Sequence, residues 1–111
     1  MSGSKITGIE YYLPKKIENN KQLKKNNPKW DIDRIFEKTG INNRYISSEK
    51  ETTIDIAEKS IKKLIKKFPK IKIDFLILVT QTSPYRIPTA ACMLQERLKL
   101  SKDIVAFDIN L

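Results

Sequence analysis

Histidine is absent from these 111 residues, and cysteine occurs once, at Cys92. Without histidine the chain cannot assemble a His-based acid–base pair or a Ser-His-Asp triad from its own residues. One cysteine excludes an internal disulfide and, with no histidine beside it, a Cys/His zinc centre. The glycines Gly3, Gly8 and Gly40 are scattered, so there is no G-x-G-x-x-G turn and no Walker phosphate loop. No apolar run approaches the roughly 18 residues that cross a bilayer. The N-terminus lacks the charged-then-apolar pattern of a secretory signal. These absences favour a soluble cytoplasmic chain, in line with a mean hydropathy of -0.46. Residues 1–4 read as a flexible leader.

Lysine is abundant. The chain carries 22 Lys and Arg against 13 Asp and Glu, a formal charge of +9, yet has only four arginines. Such an excess invites an acidic protein or a nucleic acid as partner. The lysines come in scattered pairs with few aromatics between them, and no nucleic-acid motif accompanies them. Solvated helix faces account for most of them.

The rest is organised around residues 74–111. Residues 75–79, F-L-I-L-V, have the unbroken apolar pattern of a strand buried on both faces. A polar loop with two prolines follows over residues 81–88. Next comes a helix that starts on small residues and carries Leu94 and Leu98, then a second strand over residues 104–111. Strand, crossover helix and strand form a βαβ unit, which is parallel and right-handed in nearly all proteins. Cys92 lies within that helix after Ala90 and Ala91, where a cysteine is expected to be a buried, inert filler.

Upstream, residues 5–13 supply Ile6, Ile9, Tyr11 and Leu13 and read as a further strand, with Gly8 marking a bulge or close backbone approach. Asn20 is a candidate N-cap for a helix over residues 21–26. Asp31 can cap a helix to about Lys38 that Gly40 stops. Trp30, just before it, reads as that helix's anchor. Residues 41–46 read as extended. A long helix over residues 53–68 is capped by Thr52 or Thr53, buries Ile54, Ala57, Ile61, Leu64 and Phe68, and turns its lysines outward.

Five of these segments, in order, resemble the beginning of β-ketoacyl-ACP synthase III, a thiolase-like condensing enzyme. They are I-T-G-I-E-Y-Y-L-P at 6–14, E-K-T-G-I-N-N-R-Y-I at 37–46, T-T-I-D-I-A at 52–57, P-T-A-A-C-M-L-Q at 88–95 and A-F-D-I-N-L at 106–111. The resemblance implies an α/β fold, part of a thiolase-like half. Its sheet would be mainly parallel and three-stranded, in the order 104–109, 75–80, 5–13, with packed helices. Residues 5–111 would then be the N-terminal part of the condensing-enzyme domain. The implied activity is an acyltransferase of fatty acid biosynthesis, joining an acyl-CoA to malonyl-ACP with no cofactor and no metal. Its nucleophilic cysteine would fall about two residues past Leu111, at a helix N-terminus that lowers thiol pKa. The family's histidine and asparagine would lie further on, so these residues alone would be inactive and none of them catalytic.

Two substrate-binding residues carry over from the resemblance. Lys38 falls where the family often has an arginine near the CoA phosphates. Ile87 falls where a dimer partner lends a side chain to the acyl pocket. The plainer readings are a helix C-terminal cation for Lys38 and loop packing for Ile87. The family's adenine-stacking tryptophan would align with Arg34, and Trp30 lies one helical turn earlier. Acyl-CoA and acyl carrier protein are the implied partners, with a homodimer through residues 104–111 and a free, pairing-prone edge at 5–13. A membrane is not expected as a partner, and nucleic acid is disfavoured. Another thiolase-superfamily enzyme, such as an HMG-CoA synthase-like or secondary-metabolite condensing enzyme, is an alternative. So is a basic module that binds an acidic protein or nucleic acid.

Overall fold

The computed structural model describes residues 3–110. Met1 and Ser2 of the expected leader, and Leu111, lie outside the described residues. Residues 13–50 form one compact unit, and residues 3–12 with 51–110 form another.

In the first of these units, β1 (Lys16–Asn19) pairs antiparallel with β2 (Asn43–Ile46), with Ile17 opposite Tyr45. α1 (Asn20–Asn26) and α2 (Ile32–Thr39) lie between them in sequence. Asn19, not Asn20, caps α1. Its side chain accepts from Gln22 N–H while the Gln22 side chain accepts from Asn19 N–H, a reciprocal capping box. Asn20 instead ties α1 to the approach to β2, since its side-chain amide donates to Ile41 O and its side-chain oxygen accepts from Arg44. α2 starts and stops as its residues require. The Asp31 carboxylate accepts from Arg34 N–H, and Gly40 takes a φ of 65° that a side chain would disfavour.

The second unit holds α3 (Thr53–Lys67), β3 (Phe75–Val79), α4 (Ala90–Arg97) and β4 (Val105–Ile109). β3 and β4 are parallel, with Ile77 opposite Phe107, and α4 is the crossover. The small residues Ala90 and Ala91 let α4 sit close on the sheet. Together with Leu94 and Ile54 of α3 they are fully buried, and Leu76 and Leu78 pack against the cluster of Ile54, Ala90 and Leu94. Truncating Leu94 there would cost about 2–5 kcal/mol.

The three-stranded parallel sheet is not formed. β3 and β4 are a two-stranded sheet, and residues 5–13 are not in a strand. Their contacts run to α3 instead. Lys59, Lys63 and Lys67 stand one turn apart on that helix and bind Tyr12, Tyr11 and Glu10 in succession. Lys59 donates to the Tyr12 hydroxyl at 3.1 Å, Lys63 to Tyr11 O at 3.0 Å, and Lys67 pairs with Glu10 at 2.9 Å. Gly8 lies against the Phe68 ring, where an added Cβ would meet Cζ at 2.9 Å and Leu64 at 3.2 Å. Its close approach is therefore to a helix, not to a neighbouring strand.

The expectation that β3 is buried on both faces is also corrected. Burial alternates along both strands. Leu76 and Leu78 face the helices, whereas Phe75, Ile77 and Val79, with Val105, Phe107 and Ile109 beside them, remain 38–63% exposed. No helix among the described residues is long and apolar enough to cross a membrane.

Candidate functional site

In open α/β sheets ligands gather beyond the carboxyl ends of the strands. Here that end is built by residues 80–89, which follow β3, and by the N-terminus of α4. Thr53 donates to Thr82 O at 2.9 Å, and Thr82 N–H donates to the Thr80 hydroxyl at 3.1 Å, which fixes the start of the loop against α3. Residues 84–88 of the loop are exposed. Ile87 is 90% exposed and Tyr85 is exposed beside it. The plainer reading of Ile87 as loop packing does not hold.

The first turn of α4 has an unusual cap. Thr89 stands at the N-cap but makes no capping bond through its side chain. The carboxylate of Asp108 on β4 takes that part, accepting from Ala90 N–H at 2.8 Å and Ala91 N–H at 2.7 Å. An anion at a helix N-terminus is favoured by both the free N–H groups and the helix dipole. Asp108 was not singled out in the sequence, and the only cue is an acidic residue inside an otherwise apolar strand.

Cys92 is exposed, not buried. The buried side of α4 is Ala90, Ala91 and Leu94, and Cys92 falls outside that stripe, with its thiol 3.7 Å from Ala106 O at β4. Among the described residues, neither a base nor a cation is bonded to it.

The other candidate residues meet in the 13–50 unit. Arg34 and Lys38, one turn apart on α2, line a shallow cavity of about 330 Å³ with Ile35, Asp31 and Trp30. Trp30 is 53% exposed, so it does not anchor the helix as a buried side chain. One indole, one guanidinium and one ammonium on a single face can stack an aromatic ring and bind phosphate. The i, i+4 spacing of Arg34 and Lys38 signals their shared helix face in the sequence, and Trp30 joins them from the residues just before the Asp31 N-cap. Ile87 lies in the other unit and does not line this cavity.

The lysines of α3 do not form an open cationic face. Besides the three that hold residues 10–12, Lys62 pairs with Glu58 at 2.6 Å. Lys59 also pairs with Glu51, and the hydrogen bonds to Glu51 and Tyr12 raise its pKa. Arg97 of α4 pairs with Asp55 at 2.7 Å and Glu58 at 3.3 Å. The Asp55 carboxyl is held well below the ordinary carboxylate range, first by the Thr52 hydroxyl, then by Thr52 N–H and Arg97. These charges join α3 to α4 and to residues 10–12.

No protein-family model matches the chain. It is 39% identical to the β-ketoacyl-[acyl-carrier-protein] synthase III of Acholeplasma laidlawii over 96% of its length, and that match covers 34% of the relative. Its identity to the enzyme of the same name from Thioalkalivibrio sulfidiphilus is 37%, over 99% of the chain and 34% of the relative. The crystal structure of 3-oxoacyl-[acyl-carrier-protein] synthase III from Aquifex aeolicus superposes with a TM-score of 0.82 at 36% identity, covering 98% of this chain and 35% of that one. The chain thus spans about a third of the length of the curated relatives it matches. Sequence and fold together make the chain similar, over nearly its whole length, to about a third of a β-ketoacyl-ACP synthase III.

Proposed function

We propose that these residues serve a cytoplasmic condensing enzyme of fatty acid biosynthesis that transfers an acyl group from acyl-CoA onto malonyl-ACP. The observation that carries the reading is the match to synthase III relatives along nearly the whole chain, at 37–39% identity. The reaction has two stages. A cysteine thiolate is acylated by the acyl-CoA. Decarboxylation of malonyl-ACP then gives a carbanion equivalent that attacks the thioester. The chain has no histidine and its one cysteine is not bonded to a base, so the nucleophile and its helpers belong to the remaining length of the enzyme.

Within this chain, α2 offers the acyl-CoA site. Trp30 stacks the adenine, and Arg34 and Lys38 bind the phosphates. Trp30, just ahead of the Asp31 N-cap, compensates for the arginine in the family's tryptophan position because it lines the same cavity as Arg34 and Lys38. Ile87 reaches toward the acyl pocket of a second subunit, for which its exposure in the loop suits it. The dimer forms through residues 104–111. β4 has β3 on one side only, which leaves its other edge available for antiparallel pairing across a two-fold axis.

Trp30 is the sole tryptophan and so reports directly on the α2 face. Acyl-CoA should quench its fluorescence in a saturable titration, and the effect should weaken with salt. An oligonucleotide that quenches equally well, with no preference for CoA, would favour the basic binding module instead.

A further inference from the structure

α3 runs into β3 through residues 68–74, and α4 runs into β4 through residues 98–104. Both helix C-termini therefore lie with the N-terminal ends of the strands, at the end of the unit opposite residues 80–89. Two cavities open there. One, of about 400 Å³, has Ile65 and Leu98 half-buried in it, with Lys62, Lys66 and Arg97 around them. The other, of about 540 Å³, is floored by Ile71, Ile73, Leu100 and Ile104 and has Lys72 and Asp103 in its wall. Lys99 lines both. Lys62 pairs with Glu58, Lys72 with Asp74, and Arg97 with Asp55 and Glu58. That leaves Lys66 and Lys99 without a carboxylate partner among the described residues. The Asp103 carboxylate accepts from the Ser101 hydroxyl at 3.2 Å and opposes them. Helix dipoles favour cations at both places. They do not explain why a lysine stands at 99 with a φ of 53°, where glycine is the usual residue.

We propose that this end is a peripheral docking surface for an anionic lipid bilayer, which seats headgroup phosphates against Lys66 and Lys99 over the apolar floors of the two cavities. It replaces the expectation that a membrane is no partner, since the contact lies on the bilayer and does not cross it. The unpaired cations are lysines, point charges that suit phosphate. The arginine here, the side chain that binds carboxylates bidentately, is already held by Asp55 and Glu58. That favours a phosphate surface over an acidic protein. The cavities are lined by aliphatic residues and offer no aromatic ring on which a base could stack, which disfavours nucleic acid. A free phosphate ion would leave the apolar floors uncovered, although Ile71 is 48% exposed. Lipid covers them, with the lysine stems lying along the same apolar surface. Docking at this end leaves the carboxyl ends of the strands free, so the inference does not rest on the proposed activity.

The test is co-sedimentation of the full chain with vesicles of mixed phosphatidylcholine and phosphatidylglycerol, against vesicles of phosphatidylcholine alone. Binding to the mixed vesicles only, weakening with salt, is expected. Each charge near an anionic bilayer counts for a factor of about five. Lys66→Glu and Lys99→Glu should therefore each lower the partition coefficient by about tenfold or more, and Asp103→Asn should raise it about fivefold. Ile71→Ser should lower it severalfold while circular dichroism stays unchanged. Lys21→Glu, on α1 in the other unit, controls for net charge and should lower it far less. No binding, equal binding to phosphatidylcholine alone, or a loss in Lys21→Glu as large as in Lys66→Glu and Lys99→Glu would overturn the proposal. Unchanged binding by Ile71→Ser would overturn it too, by reducing the contact to charge alone. Release by inorganic phosphate at constant ionic strength would overturn it in favour of a free-anion site. Release by an acidic carrier protein would overturn it in favour of a protein partner.

Discussion

Asp108 reaches from β4 to the first turn of α4, and one of its carboxylate oxygens accepts the N–H of Ala91 at 2.7 Å. The other accepts from Ala90, so a single side chain closes the βαβ unit at the end where ligands bind in such folds. Replacing Asp108 with Ala removes two charge-assisted bonds and leaves the N–H groups of the buried Ala90 and Ala91 unmet. The expected loss is about 1–3 kcal/mol, read from the urea midpoint. A change within error would mean that Thr89 or water satisfies the helix equally well.

Gly8 tests the placement of residues 5–13. Its Cα faces Phe68 and Leu64 closely enough that a methyl group would overlap the ring. Gly8→Ala should destabilise by about 1–3 kcal/mol through overpacking, and Phe68→Leu in the same chain should recover part of that. If residues 5–13 instead paired as a strand beside β3, the second substitution would bring no recovery.

Asp55 makes stability depend on pH in a defined direction. Its folded carboxyl is a stronger acid than the unfolded one, chiefly through the Thr52 hydroxyl. Its contribution is therefore complete above the ordinary carboxylate pKa of about 4 and is lost as pH falls through that value toward the lower folded one. Asp55→Ala should cost about 1 kcal/mol at pH 7, the usual worth of a capping interaction. The gap between variant and wild type should narrow in unfolding curves taken down to pH 2. A gap that widens on acidification would contradict the assignment.

On α2, Lys38→Glu should weaken acyl-CoA binding by about tenfold, the size of one charge-assisted phosphate contact. Arg34→Glu should do likewise. Lys66→Glu, on α3 in the other unit, should leave binding unchanged. Equal losses for all three would reduce the effect to net charge.

The elements with strong local signals were legible. Asp31 and Gly40 bracket α2, Thr52 opens α3 with Asp55 completing the box, and the apolar runs at 75–79 and 105–109 are the two strands. β1 was not legible because K-I-E-N carries one apolar residue and becomes a strand only through its pairing with β2, where Ile17 meets Tyr45, 28 positions further along the chain. Residues 5–13 misled for the converse reason. Their alternating apolar pattern suits a strand, but the contacts that hold them come from lysines on α3 that are 47 to 57 positions distant. Cys92 misled because apolar neighbours in sequence do not fix which way a short helix turns. Ala90, Ala91 and Leu94 take the buried side and leave the thiol outside. Of the site, Lys38 and Ile87 came only through the family resemblance, whereas the shared face of Arg34 and Lys38 follows from helical spacing and the place of Trp30 beside them does not.

The central claim is that this chain is a working segment of a condensing enzyme. A chimera tests it most directly, with residues 3–110 in place of the matching third of the Acholeplasma laidlawii synthase. Purified chimera given acyl-CoA and malonyl-ACP should form β-ketoacyl-ACP, measured by mass spectrometry of the carrier protein. Cys92→Ser should leave the rate unchanged. A chimera that unfolds cooperatively yet forms no β-ketoacyl-ACP, or one whose activity disappears with Cys92→Ser, would contradict the account.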